Sequence, residues 1–142
     1  RLERELDQDD FLDLRLGIGS TNLSGKIGFP QSHFSLETDN LLEEVYKLGS
    51  ESTMLENVPI SLSFLKNRVS AIIGSATIKY QFLDGLLLQM LVYHSYEDLK
   101  IIILTDDKNE ASWKYMKIAP HCWNNEKTMR YFATNLDEAK EL

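Results

Sequence analysis

The sequence predicts an α/β domain with a β-rich N-terminal portion, and three stretches carry that prediction. Residues 11–18, FLDLRLGI, alternate apolar side chains with Asp13, Arg15 and Gly17, the period of a half-buried strand. Residues 70–90, SAIIGSATIKYQFLDGLLLQM, pass from a β-branched run through a glycine into a stretch with helical spacing. Residues 100–105, KIIILT, form a short continuous apolar run of the kind found in central parallel strands covered on both faces.

Each element follows from local chemistry. Phe11 to Ile18 reads as a strand that stops at Gly19-Ser20, and a second short strand is expected around Lys26 to Phe29 within the turn-rich TNLSGKIGFPQ. LETDNLLEEVYKLGS predicts a short amphipathic helix, with Thr38 or Asp39 as N-cap, Leu41, Leu42, Val45 and Leu48 on one face and Gly49 at the stop. In ENVPISLSF, Val58, Ile60, Leu62 and Phe64 alternate with Pro59, Ser61 and Ser63. The turn LKNR then leads into VSAIIG, so a hairpin is expected there. Pro59 has no N–H to give to a ladder and belongs at a strand start or on an edge.

From about Ile78 to His94 the helix carries Phe82, Leu83, Leu86, Leu87, Met90, Leu91 and Val92, too many apolar residues for a one-sided surface helix. It is expected to be largely buried, with Gly85 costing about 1 kcal/mol relative to alanine. Strand, helix and KIIILT together suggest a right-handed βαβ unit. DDKNEASWKYM then reads as a helix with Asp107 and Glu110 in capping-box positions, TMRYFAT as a strand and NLDEAKEL as a final helix. Residues 1–142 are read as one domain, with N-terminal strands and helix over 1–56 and a βαβ core over 57–142.

Composition narrows the function. The chain has 142 residues, 43% of them hydrophobic and 26% charged, the make-up of a globular domain with one core. No apolar run reaches the length of a membrane span and no leader pattern opens the chain, so the piece is expected to be soluble. The single Cys122 cannot form an internal disulfide, and no Cys/His cluster has zinc-ligand spacing. A formal net charge of −7 is adverse to an extended phosphate-backbone surface, so nucleic acid is not an expected partner.

The strand-glycine-helix layout at residues 70–90 is the frame of a phosphate-binding loop. Such a loop needs two glycines to aim amides at phosphate, a lysine for the outer phosphates and a hydroxyl for magnesium, in the pattern G-x-x-x-x-G-K-[ST]. Aligned on Gly74, the second glycine falls on Lys79, the lysine on Tyr80 and the hydroxyl on Gln81. Thr77 and Ile78 are β-branched and resist the positive φ angles of a phosphate cradle. The candidate site is therefore a degenerate nucleotide loop of Gly74, Ser75, Ala76, Thr77, Ile78, Lys79 and Tyr80, in which Lys79 retains reach to an anion at the helix N-terminus.

Other candidates rank lower. Asp106 and Asp107, following a strand, serve a metal less often than they cap the next helix. Adjacent His121 and Cys122 point apart, and neither they nor His94 come with the orienting motif of a Cys/His nucleophile. His33 is expected in a solvated loop. Trp113, Tyr115, Trp123, Tyr131 and Phe132 read first as core and second as an aromatic contact surface. The acids Asp7, Asp9, Asp10 and Asp13 read first as a solvated terminus and second as a contact for a basic linker.

Several phrases, DDFLDLRLGIG, NVPISL, AIIG, LLLQMLVYHSYEDLKIIILTDD and WKYMKIAPHCWNNE, resemble the membrane-proximal cytosolic module of type VII secretion ATPases, the EssC/EccC group of the FtsK/SpoIIIE superfamily. YHSYEDL before an apolar strand, and a Trp-containing helix ending in Pro-His, are the more specific elements. The resemblance implies a partial P-loop NTPase-like sheet and a non-motor coupling or regulatory role. The implied partners are downstream motor domains, membrane segments of the same protein and other secretion-machine subunits, in an oligomeric parent at the cytoplasmic face of the cell membrane. No cofactor is expected in this chain, ATP and magnesium belonging to the parent's motor domains. Two rival readings are a weak ATPase completed by residues outside the chain and a DNA-translocase-like module.

Overall fold

The computed structural model describes residues 4–25, 28, 40–50 and 54–142. In chain order the elements are β1 (Asp13–Asn22), α1 (Asn40–Ser50), β2 (Met54–Ser63), α2 (Ala76–Tyr93), β3 (Ile103–Leu104), two 3-10 segments η1 (Glu110–Ile118) and η2 (Pro120–Cys122), β4 (Phe132–Ala133) and α3 (Leu136–Glu141). The architecture is mixed α/β. Among the described residues the strands form two two-stranded sheets, β1 with β2 and β3 with β4. The expected strand around Lys26 to Phe29, the caps Thr38 and Asp39, and His33 lie outside the described residues.

The chain divides into two compact units, the described residues of Arg1–Leu16 with Ser61–Leu142, and those of Gly17–Ile60. In the second unit, α1 matches the amphipathic helix expected from the sequence, with a half-buried Val45 and exposed Leu41 and Leu48. Gly19 is required by a close approach. A Cβ there would lie 2.9 Å from Cγ1 of Ile60, so even alanine would force that side chain to shift. Pro59 lies inside β2, which among the described residues is paired on one edge, with β1, and so has an edge where a missing N–H costs no ladder bond.

The first unit holds most of the core. α2 starts at Ser75, whose extended backbone (φ −64°, ψ 151°) breaks the helix on its N-terminal side, and stops at an extended His94. Its Leu87 packs with Ile101, Trp113, Met116, Ala119 and Cys122, and half-buried Leu83, Met90 and Phe132 close around them. Burying side chains of this size contributes about 1.5–3 kcal/mol each. A second buried group, Phe11, Leu14, Leu86 and His94, includes residues from the N-terminal segment and the last turns of α2.

β3 and β4 pair in parallel, with Ile103 opposite Phe132. Backbone bonds extend this ladder, from Ile101 N–H to the His121 carbonyl (3.0 Å), Ile103 N–H to Tyr131 (3.0 Å) and Thr105 N–H to Ala133 (3.0 Å). The aromatic residues Trp113, Trp123, Tyr131 and Phe132 are buried or half-buried, while Tyr115 is exposed.

Four local expectations change. VSAIIG is not a strand: residues 69–73 make no backbone hydrogen bond among the described residues, and Val69 and Ile73 are 93% and 96% exposed. Its alternation and β-branching suit a strand, but no ladder partner lies beside it, so the hairpin and the first strand of the expected βαβ unit are absent among the described residues. α2 is buried on one side only, at Leu86 and Leu87, while Ile78, Leu88 and Val92 are exposed. The apolar run at 101–104 is covered on one face, since alternate side chains point to opposite faces and Ile102 and Leu104 are exposed. Finally, η1 is a 3-10 helix in which Asp106, not Asp107, holds the start: its Oδ1 accepts from Asn109 N–H at 2.8 Å and from Asn109 Nδ2 at 2.7 Å. A two-sided cap of related kind occurs instead at α3, where Asn135 Oδ1 accepts from the N–H groups of Asp137 and Glu138, and the Glu138 carboxylate accepts from the N–H of Thr134, the residue before the N-cap.

Candidate functional site

The residues singled out in the sequence lie where the loop after β2 enters α2. Gly74 does not have a positive φ, and the Ser75 side chain makes no capping bond. Gly74, Ser75, Ala76, Thr77 and Ile78 are exposed along the loop and first turn, whereas Lys79 and Tyr80 are half-buried. Lys79 and Tyr80 turn into an open groove of about 510 Å³ that also involves Leu16, Phe64, Ile72 and Leu83. The groove is therefore built mainly of apolar side chains, with the Lys79 ammonium as its cation.

Two further contacts fix this wall. The Tyr80 hydroxyl donates to Asn109 Oδ1 at 3.0 Å, and its ring meets Trp113 edge-on at 5.7 Å between centroids. Lys79 has no side-chain partner among the described residues. The loop residues 70–72 line the same groove while leaving their backbone groups unpaired. Sequence reasoning found the loop but not the groove. The apolar residues around α2 were visible in the sequence, but not that Leu16, Phe64 and Ile72 come to lie against them.

The remaining candidates sit apart from this groove. Asp106 is engaged in capping Asn109, and Asp107 is exposed. Cys122 is fully buried, and burial pushes its thiol up to about 11, which keeps it protonated and unreactive at neutral pH. The His121 ring donates from Nε2 to the His94 carbonyl at 2.9 Å, so it is engaged with backbone and not with the thiol. Among the described residues no group of three or more His, Cys, Asp or Glu side chains is placed to hold a metal ion. Asp10 forms an ion pair with Arg4 at 3.1 Å, which ties one member of the N-terminal acidic cluster. Among the described residues no helix is long and apolar enough to cross a membrane.

No family model matches the chain. It is 26% identical over 133 residues to the type VII secretion system protein EssC of Staphylococcus aureus strain MSSA476, and equally so to that of strain NCTC 8325. It is 22% identical over 120 residues to the ESX secretion system protein EccC of Geobacillus thermodenitrificans. The chain is homologous to EssC and EccC of type VII secretion. These alignments cover 94% and 84% of this chain but only 9% and 8% of the relatives' own length. The similarity therefore describes a segment of EssC or EccC, not the whole of either.

Proposed function

We propose that this chain acts as a non-motor coupling module of a membrane-anchored type VII secretion ATPase of the FtsK/SpoIIIE superfamily, working by contact and not by catalysis. Homology to segments of EssC and EccC supports the setting. The observation that carries the reading is the make-up of the loop and groove at the start of α2. The turn from Gly74 into α2 is present without the strand that precedes a phosphate loop, its wall is apolar, and Lys79, Tyr80 and Gln81 stand where glycine, lysine and a hydroxyl would be needed.

Such a wall suits polypeptide better than nucleotide. Residues 69–73 offer unpaired backbone donors and acceptors beside exposed apolar side chains, which is what an added strand requires. The occupant in this reading is an extended apolar segment of the secretion protein itself, with a carboxylate that reaches Lys79. Pairing of that segment would extend the strands of this chain into a P-loop NTPase-like sheet. The partners are then the motor domains and membrane segments of the same protein, with the module at the cytoplasmic face of the membrane. ATP and magnesium would be handled by the motors.

A secretion assay at matched protein levels tests the proposal. Lys79→Ala, which removes the loop's cation and only one ion pair of the contact, should leave export nearly intact. Ile73→Asp, which places a charge in the strand contact, should reduce it strongly. Loss of export with Lys79→Ala and none with Ile73→Asp would make the loop a working nucleotide site.

A further inference from the structure

The C-terminal end of α2 carries a histidine whose ring is committed to one protonation state. His94 is 3% exposed. Its Nε2 lies 3.0 Å from the Leu12 backbone nitrogen, and its Nδ1 lies 3.2 Å from the Met90 carbonyl oxygen. An N–H can only donate, so Nε2 must present its lone pair to Leu12, and Nδ1 must carry the proton that goes to Met90. The ring is thereby fixed as the neutral Nδ1–H tautomer. Phe11 seals it, edge-on at 4.9 Å between centroids.

The bond matters because of what it holds. Leu12 has φ +57°, the left-handed region that a leucine rarely adopts, so this turn of the N-terminal segment is strained and needs fastening. The rest of the segment is fastened to the same place. Arg4 N–H donates to the Tyr93 carbonyl at 2.7 Å, and its guanidinium lies over the Tyr93 ring while pairing with Asp10. The Leu12 carbonyl in turn accepts from Phe64 N–H at 3.0 Å.

We propose that His94 is a proton-operated latch: adding a proton at Nε2 breaks its bond to Leu12 and releases the segment from Arg4 to Leu12 from the end of α2. With both ring nitrogens protonated, Nε2–H would face Leu12 N–H, two donors with no acceptor between them. The charged and titratable groups around the ring are Arg4, Asp10 and Asp13 on the segment, Tyr93 on α2 and His121 on η2.

Burial, the largest influence, holds His94 below its ordinary value of 6.5, and Arg4 and His121 act in the same direction. The bond to the Met90 carbonyl and the Asp10 carboxylate oppose them without reversing the outcome. The closed form therefore binds the proton less readily than an open form whose imidazole titrates near 6.5. The latch is fully closed above about pH 6.5 and loosens as the pH falls below it toward the folded value. This device is independent of the secretion reading.

Hydrogen exchange of the chain at pH 7.5 and 5.0, with rates corrected for intrinsic chemistry, tests it. Protection of the Phe11–Asp13 amides should fall about tenfold at the lower pH, the scale of one lost hydrogen bond, while the Leu86–Leu87 turn of α2 keeps its protection. His94→Gln, which retains an acceptor for Leu12 and a donor for Met90 without titrating, should abolish the step, and His121→Gln should leave it in place. A step that persists in His94→Gln, or protection that is unchanged in the native chain, would overturn the latch. Should His94→Gln fail to fold, nitrogen-15 NMR of the native imidazole decides. A neutral Nδ1–H form that titrates below 6.5 is expected, and an Nε2–H form would refute the assignment.

Discussion

The two ends of α2 are made of the same kinds of residue and meet opposite fates. At its C-terminal end Leu86, Leu87 and His94 are buried, and the N-terminal segment is bonded across them. At its N-terminal end Ile78 is exposed, the preceding residues 69–73 have no backbone partner among the described residues, and Lys79 and Tyr80 border an apolar groove that runs along the helix as far as Leu86, Leu87 and Met90. Apolar composition alone does not decide which end is core. What differs is how much another element supplies: the C-terminal end is bonded to the N-terminal segment through backbone and side chain, whereas at the N-terminal end the Tyr80 side chain reaches across, to Asn109 and Trp113, and residues 69–73 pair with nothing among the described residues.

Substitutions at the two ends sharpen the contrast. The largest effect is expected for Leu87→Ala, which deletes buried atoms amid Trp113, Met116 and Cys122 and should destabilise the chain by about 2–5 kcal/mol in a denaturant melt. An unchanged midpoint would show that this end of α2 is not core. Next comes Tyr115→Phe, which removes the 2.6 Å hydrogen bond from η1 to Asp84 on α2 and should cost about 1 kcal/mol. Burial first, and the Asp84 carboxylate second, raise the Tyr115 phenol well above its ordinary 10.0. The folded chain thus holds that proton more tightly than the unfolded one. Its contribution is full below about pH 10 and is lost as the pH rises further, and Tyr115→Phe should abolish that alkaline loss. The smallest effect is expected for Leu88→Ala, one residue from Leu87 but 61% exposed, which should stay within about 0.5 kcal/mol.

The same contrast explains what the sequence made legible. α2 and α1 were readable from apolar spacing and their stops, since helices close their own hydrogen bonds and need no distant partner. Strands do need one. FLDLRLGI and VSAIIG carry equally good β signals, yet only the first contributes to a ladder, because β2 pairs with it and no strand among the described residues pairs with the second. The half-covered run at Ile101 to Leu104 shows the same effect: β-branching reported strand tendency, while coverage depended on packing that no local pattern encodes. The candidate loop was found by its frame, and its departures at Lys79, Tyr80 and Gln81 were plain from identity alone. The groove needed three dimensions, since Leu16, Phe64 and Leu83 come together only when the N-terminal segment and the end of β2 meet α2. The His94 bond to Leu12, 82 residues away in sequence, was invisible for the same reason.

The central claim is that the start of α2 is a contact surface and not a nucleotide site, and calorimetric titration of the chain with Mg-ATP tests it most directly. The account predicts no heat of binding at micromolar nucleotide and no shift in melting. A ligand present at 100 times its dissociation constant would stabilise the fold by about 2.7 kcal/mol, an effect too large to miss. Saturable micromolar binding that Lys79→Ala abolishes would contradict the account and make Gly74 to Tyr80 a working phosphate loop.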